Sequence, residues 1–137
     1  MKLIFLIIGM LLTACGTGPT QSHGGPVKDQ VSLIDTLRKD VTVDIVSSVT
    51  QPFLHPASGT AVRLSGGSLA TPADVQLFEY GSPDAAASDV KSATTNVAWL
   101  APPHFFLKGR VLAIYVGRDP AAVSLLAGAK GPQLAGR

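Results

Sequence analysis

The side chains able to do chemistry are few and scattered in this 137-residue sequence. There is one cysteine, Cys15, and there are three histidines, His23, His55 and His104. Glu79 is the sole glutamate, so paired-carboxylate chemistry would fall to aspartates, which stand mostly at expected caps and turns. No two histidines share metal-ligand spacing and no cysteine cluster exists, so neither a metal site nor a cofactor is expected. The serines lack a Gly-x-Ser-x-Gly elbow and an ordered histidine partner. Ser65-Gly66-Gly67-Ser68 lacks the following lysine of a phosphate loop and reads as a turn. No catalytic residue is therefore assigned.

The densest special segment is Trp99-Leu100-Ala101-Pro102-Pro103-His104-Phe105-Phe106. Paired prolines stiffen it, and aromatics flank a histidine. Trp99, His104, Phe105 and Phe106 are the candidate binding residues, as a rigid platform for a protein, a glycan or a peptide. The reading we favour is plainer: the segment covers the sheet edge and drops Trp99, Phe105 and Phe106 into the core. His104 is then a hydrogen-bonded loop histidine.

Cys15 has a specific setting. Met1-Lys2 is a short basic start, and Leu3 to Leu12 is an apolar run too short to span a bilayer. Leu12-Thr13-Ala14-Cys15 follows, and it resembles the lipobox of a bacterial lipoprotein signal peptide. The resemblance implies cleavage between Ala14 and Cys15 and a diacylglyceryl thioether on Cys15. Further acylation, of the palmitate kind, can follow on the new amine. One chain anchors marginally, at ~0.8 kcal/mol per buried methylene, whereas two or three anchor stably. Membrane lipid is thus the expected partner of Cys15, on the extracytoplasmic face. Gly16, a non-aspartate, looks like the outer-membrane sorting signal if the bacterium has two membranes; with one, the anchor lies in the cell membrane.

Residues 16 to 26 are glycine, proline and small polar residues, which cannot bury enough apolar area to offset their ordering entropy. They read as a tether, with His23 a solvated bystander. The organisation is then a leader over 1–14, lipidated Cys15 and tether over 15–26, one domain over 27–131, and a frayed tail over 132–137. Formal net charge is +2, and loss of Lys2 with the leader leaves +1. No lysine or arginine run marks a nucleic-acid surface, so no nucleic-acid partner is expected.

Within the domain, Val27, Val31 and Ile34, with Leu33 and Leu37 beside them, form a helical stripe. Val41, Val43 and Ile45 alternate with polar residues as in a half-exposed strand. Thr60 to Leu64 reads as a short strand, and Asp74 to Tyr80, apolar on both faces, as a central one. Ser82-Pro83-Asp84 opens a helix that runs to about Ser92, and Asp119-Pro120 opens another in the same style. Asn96 to Leu100 reads as a short strand, and Arg110 to Val116 as the most buried one. The expected fold class is α+β: a mainly antiparallel sheet of four to five strands with two to three helices packed on one face.

From Asp74 onward the chain resembles a set of small bacterial lipoproteins of no established activity. Three pieces carry this: DVQLFEY followed by Gly-Ser-Pro-Asp-Ala-Ala-Ala, then WLAPPHFF, then GRVLAIYVG with Asp119 just after. Gln51-Pro52-Phe53 also fits. The resemblance implies a single domain and brings no catalytic residue with it. The expected function is a lipid-anchored, non-catalytic binding or envelope-interaction role toward an envelope protein or the cell wall. The alternatives are a hydrolase-like envelope enzyme using His104 and a nearby aspartate, and a structural subunit of a membrane complex.

Overall fold

The computed structural model describes residues 27–136. The leader, the Ala14–Cys15 cleavage and lipidation site, His23 and the tether lie outside the described residues. The elements run α1 (Gln30–Leu37), β1 (Thr42–Val49), β2 (Gly59–Ser65), β3 (Ala73–Glu79), α2 (Pro83–Asn96), β4 (Pro103–Lys108), β5 (Val111–Val116), α3 (Pro120–Lys130) and β6 (Ala135–Gly136). Every strand pairing is antiparallel, and the sheet order is β1-β2-β3-β5-β4-β6. The fold is α+β, with six strands instead of four to five. No helix of the described residues is long and apolar enough to cross a membrane.

Local chemistry starts each helix. Asp29 caps α1, accepting from the Ser32 N–H at 2.8 Å while Ser32 Oγ accepts from the Asp29 N–H at 3.0 Å. The Ser32 backbone bond, then its hydroxyl, holds the Asp29 carboxyl below its ordinary value. Ser82 caps α2 and Asp119 caps α3, each followed by a proline in the first turn. Gly109, at φ 58°, turns β4 into β5 within two residues.

The helices do not share one face, which corrects the expected layering. Leu33, Ile34 and Leu37 of α1 and Ala122, Leu126 and Ala129 of α3 cover one side, over Val62, Leu64, Leu77 and Phe106. Ala86, Val90 and Ala93 of α2 cover the other, over Phe78, Phe105, Leu112 and Ile114. The reason lies in the strands. Successive side chains point to opposite faces, so a strand apolar at every position needs cover on both. Each fully buried large side chain contributes about 1.5–3 kcal/mol of transfer free energy, so an uncovered face would be costly.

Two boundaries also move. The strand expected over Asn96 to Leu100 is absent: α2 runs on to Asn96, and β4 begins at Pro103. The Thr94 and Thr95 hydroxyls both donate to the Lys91 carbonyl, at 2.9 and 3.0 Å, and hold this last turn. The tail expected to fray is docked instead. Beyond Gly131 the chain turns back, Leu134 N–H donates to the Phe105 carbonyl at 2.7 Å, and β6 pairs with His104 and Phe105. Its cause is the open outer edge of β4, whose carbonyls need donors. At the opposite edge, Ile45 and Val46 of β1 are 63% and 54% exposed, and a bulge between Ile45 and Ser47 breaks the ladder there.

Candidate functional site

The prolines of the aromatic segment build a groove at one end of the β4–β5 hairpin. Residues 97–102 leave α2, cross the sheet end and enter β4 at Pro103. The Gly117 N–H donates to the Pro102 carbonyl at 3.0 Å, tying this crossing to the end of β5. One cavity of about 570 Å³ lies between Trp99, Leu100, Pro102, Pro103, Arg118 and Gly136. A second, of about 430 Å³, lies between Pro102, His104, Arg118, Pro120, Val123 and Ser124. Pro102 and Arg118 border both, so the two cavities adjoin along these residues. Among the described residues no carboxylate lies within ion-pair reach of Arg118. Leu100 is fully exposed at the rim.

The four expected site residues separate. Phe105 and Phe106 are fully buried in the strand, one in each core, and neither reaches the groove. Trp99 is half-buried: its ring meets Phe53 and Phe105 edge-on, with centroids 5.4 and 5.6 Å apart, and its indole N–H donates to the Ala93 carbonyl at 3.2 Å. One edge of Trp99 still lines the groove. His104 is 7% exposed and stacks on Tyr115 at 5.7 Å, with its nitrogens 2.8 Å from Gln133 Oε1 and 3.0 Å from the Gly117 carbonyl. Both ring nitrogens are used within the protein, which leaves none for a substrate. A Cβ at Gly117 would overlap the Tyr115 hydroxyl, so this close contact requires glycine.

Two polar clusters escaped the reading of the sequence. Asp89 lies on the buried face of α2. Its carboxylate accepts from the His55 backbone N–H at 2.7 Å, the Tyr80 hydroxyl at 2.8 Å, and His55 Nδ1. Burial pushes the Asp89 carboxyl up, but these bonds outweigh it and the net shift is down. Burial, then the bond to Asp89, drives the Tyr80 phenol well above its ordinary range. The second cluster is Lys130, buried at the end of α3 and donating to the Val111 carbonyl. Burial first, then nearby Lys108, lowers its ammonium to about 7. The sequence held one signal for Asp89, a lone carboxylate three residues after Ala86 and four before Ala93 on the small apolar stripe. Arg118 carried no such signal.

Among the described residues, no group of three histidine, cysteine, aspartate or glutamate side chains is placed to hold a metal ion. No family model matches the chain, and no curated protein or solved structure matches it.

Proposed function

We propose that this chain is a lipid-anchored, extracytoplasmic binding module. Cys15 carries the lipid, and the groove around Arg118 takes an acidic, extended segment of an envelope protein. The observation that carries the reading is the groove itself, lined by both polar and apolar groups and bordered by Arg118, which pairs with no carboxylate among the described residues. A complementary segment brings a carboxylate to Arg118 and apolar side chains to Trp99, Leu100 and Pro103.

The position of Val27 supports the same reading. A Cβ built on Gly109 would stand 3.5 Å from the Val27 carbonyl oxygen, so the domain begins beside the β4–β5 turn. The groove lies at the other end of that hairpin, about 17 Å away at ~3.3 Å per residue. A tether joined at Val27 presents the groove away from the membrane.

Two measurements test the two halves separately. Radiolabelled palmitate enters the native chain and not Cys15→Ser; label in the variant overturns the anchor. A photoreactive residue at position 100 gives a protein adduct in membranes, which Arg118→Glu and an acidic competitor peptide both suppress. An adduct insensitive to Arg118→Glu overturns the groove.

The enzyme reading moves from His104 to His55 and stands second. Asp89 fixes the His55 Nδ1–H and leaves Nε2 facing solvent, the arrangement a proton acceptor needs. None of the cavities described above reaches it.

A further inference from the structure

We propose that His104 and Gln133 form a protonation-dependent latch that holds β6 in place as a wall of the groove. The inference rests on the groove being the binding site and adds its regulation.

The Gln133 Nε2 amide donates to the Ala135 carbonyl at 2.9 Å, which fixes the orientation of that side chain. Gln133 Oε1 therefore faces His104 Nδ1 at 2.8 Å. An amide oxygen only accepts, so Nδ1 must carry a proton. His104 Nε2 stands 3.0 Å from the Gly117 carbonyl, which also only accepts, so Nε2 must carry one too. Only the imidazolium satisfies both contacts. In a neutral ring one lone pair faces an oxygen. If that nitrogen is Nδ1, rotating the Gln133 amide repairs the contact but turns its oxygen toward the Ala135 carbonyl and loses that bond.

The elements around the ring set its electrostatics. Tyr115 of β5 stacks on it and favours the cation. Arg118, from the turn after β5, borders the same cavity and disfavours it. Asp119 caps α3; its carboxylate accepts from the Ala121 N–H, and its own N–H donates to the Tyr115 hydroxyl. Among the described residues no carboxylate bonds the ring, so two carbonyl dipoles compensate its charge.

β6 is two residues long and pairs with β4 at His104 and Phe105 only. A strand held by so few bonds responds to the loss of one. Ala135 and Gly136 line the groove, so their release opens its wall. Closure takes up a proton and opening releases one. Acid therefore keeps the groove walled, and loss of the ring proton loosens it.

Amide hydrogen exchange and ring ¹⁵N spectra of the full chain in detergent micelles, without ligand, test the latch. The protection factor of the Leu134 amide falls about tenfold from pH 5 to pH 8, as expected for losing one hydrogen bond to a charged group, while that of Leu112 does not. Gln133→Leu makes Leu134 protection independent of pH, and Gln133→Glu extends it to higher pH. At pH 5 both His104 nitrogens carry protons. A neutral ring at pH 5, or Leu134 protection that tracks Leu112 across the range, overturns the latch; the ring spectra need no variant. Because no ligand is present, such a failure leaves the groove reading standing. That reading fails only through the Arg118-dependent adduct.

Discussion

Asp89, buried at 3% exposure in the middle of α2, holds the His55 loop through both its backbone and its ring. The β1–β2 connection, which holds His55, is thereby fixed to the α2 face of the sheet. Tyr80, at the end of β3, closes the cluster from the sheet side. One carboxylate links a loop, a helix and a strand.

Asp89→Ala leaves the Tyr80 hydroxyl and the His55 N–H without their acceptor and costs about 2–3 kcal/mol in urea unfolding. His55→Ala costs under about 1 kcal/mol, because the ring is largely exposed and the backbone N–H still reaches Asp89. Equal losses for the two variants would contradict this assignment. The pH dependence has a definite sign. The folded-state carboxyl is lowered from 3.8, so its stabilisation is complete above that value and is lost as pH falls through the folded one.

Lys130 has the opposite consequence. Its folded-state value is about 7 against 10.5, so the folded chain binds fewer protons than the unfolded chain between these values. Stability from this group rises as pH rises through that window, by on the order of a few kcal/mol at ~1.4 kcal/mol per unit. Lys130→Met removes the slope. It gains most on the native chain near pH 6 and loses that advantage by pH 9.5, as read from urea midpoints. A native chain with the same slope as Lys130→Met would show that the ammonium stays charged where it is.

Phe105 and Phe106 are adjacent in β4 and bury in different cores, so each alanine substitution removes a large side chain from a different layer. Each costs about 3–5 kcal/mol, a large share of the ~5–15 kcal/mol of a typical domain. Because they sit on opposite faces, the double variant measures how far the two layers are coupled through the sheet. Either single variant melting like the native chain would show that its ring is not a core residue.

The starts of α2 and α3 were legible because Ser82-Pro83 and Asp119-Pro120 are local signals that act within one turn, whereas α1 was legible from its apolar stripe and not from its Asp29–Ser32 cap. The central strand was legible from its apolar residues on both faces. The two-sided cover was implicit in that same pattern, yet assigning helices to faces needs the strand order, which is a long-range property. The β6 pairing was hidden for a related reason: nothing in Gln133-Leu134-Ala135-Gly136 resembles a strand, and the open edge of β4 creates it. The groove was half legible. Pro102 and Pro103 marked its floor, but Arg118 joins them only because β5 pairs with β4 and ends at the same place. The candidate set Trp99, His104, Phe105 and Phe106 was chosen by residue type, and burial removes the two phenylalanines from the groove.

Recognition and packing fall on different residues at the groove. Leu100 is fully exposed and Arg118 bonds no carboxylate among the described residues, so neither supports the fold. Leu100→Ser and Arg118→Glu therefore change stability by no more than about 0.5 kcal/mol, the usual range for surface positions. Trp99→Ala differs. It loses two edge-on aromatic contacts, worth about 0.5–1.5 kcal/mol each beyond buried area, and the indole bond to Ala93. It costs at least about 2 kcal/mol, so loss of binding in that variant would not distinguish the two roles. The informative pair is Leu100→Ser and Arg118→Glu, measured for both unfolding and adduct formation from a neighbouring probe at Ala101. Stability retained with adduct lost assigns the groove to recognition. If both variants keep the adduct while melting like the native chain, the channel between Trp99 and Arg118 is a surface feature with no partner.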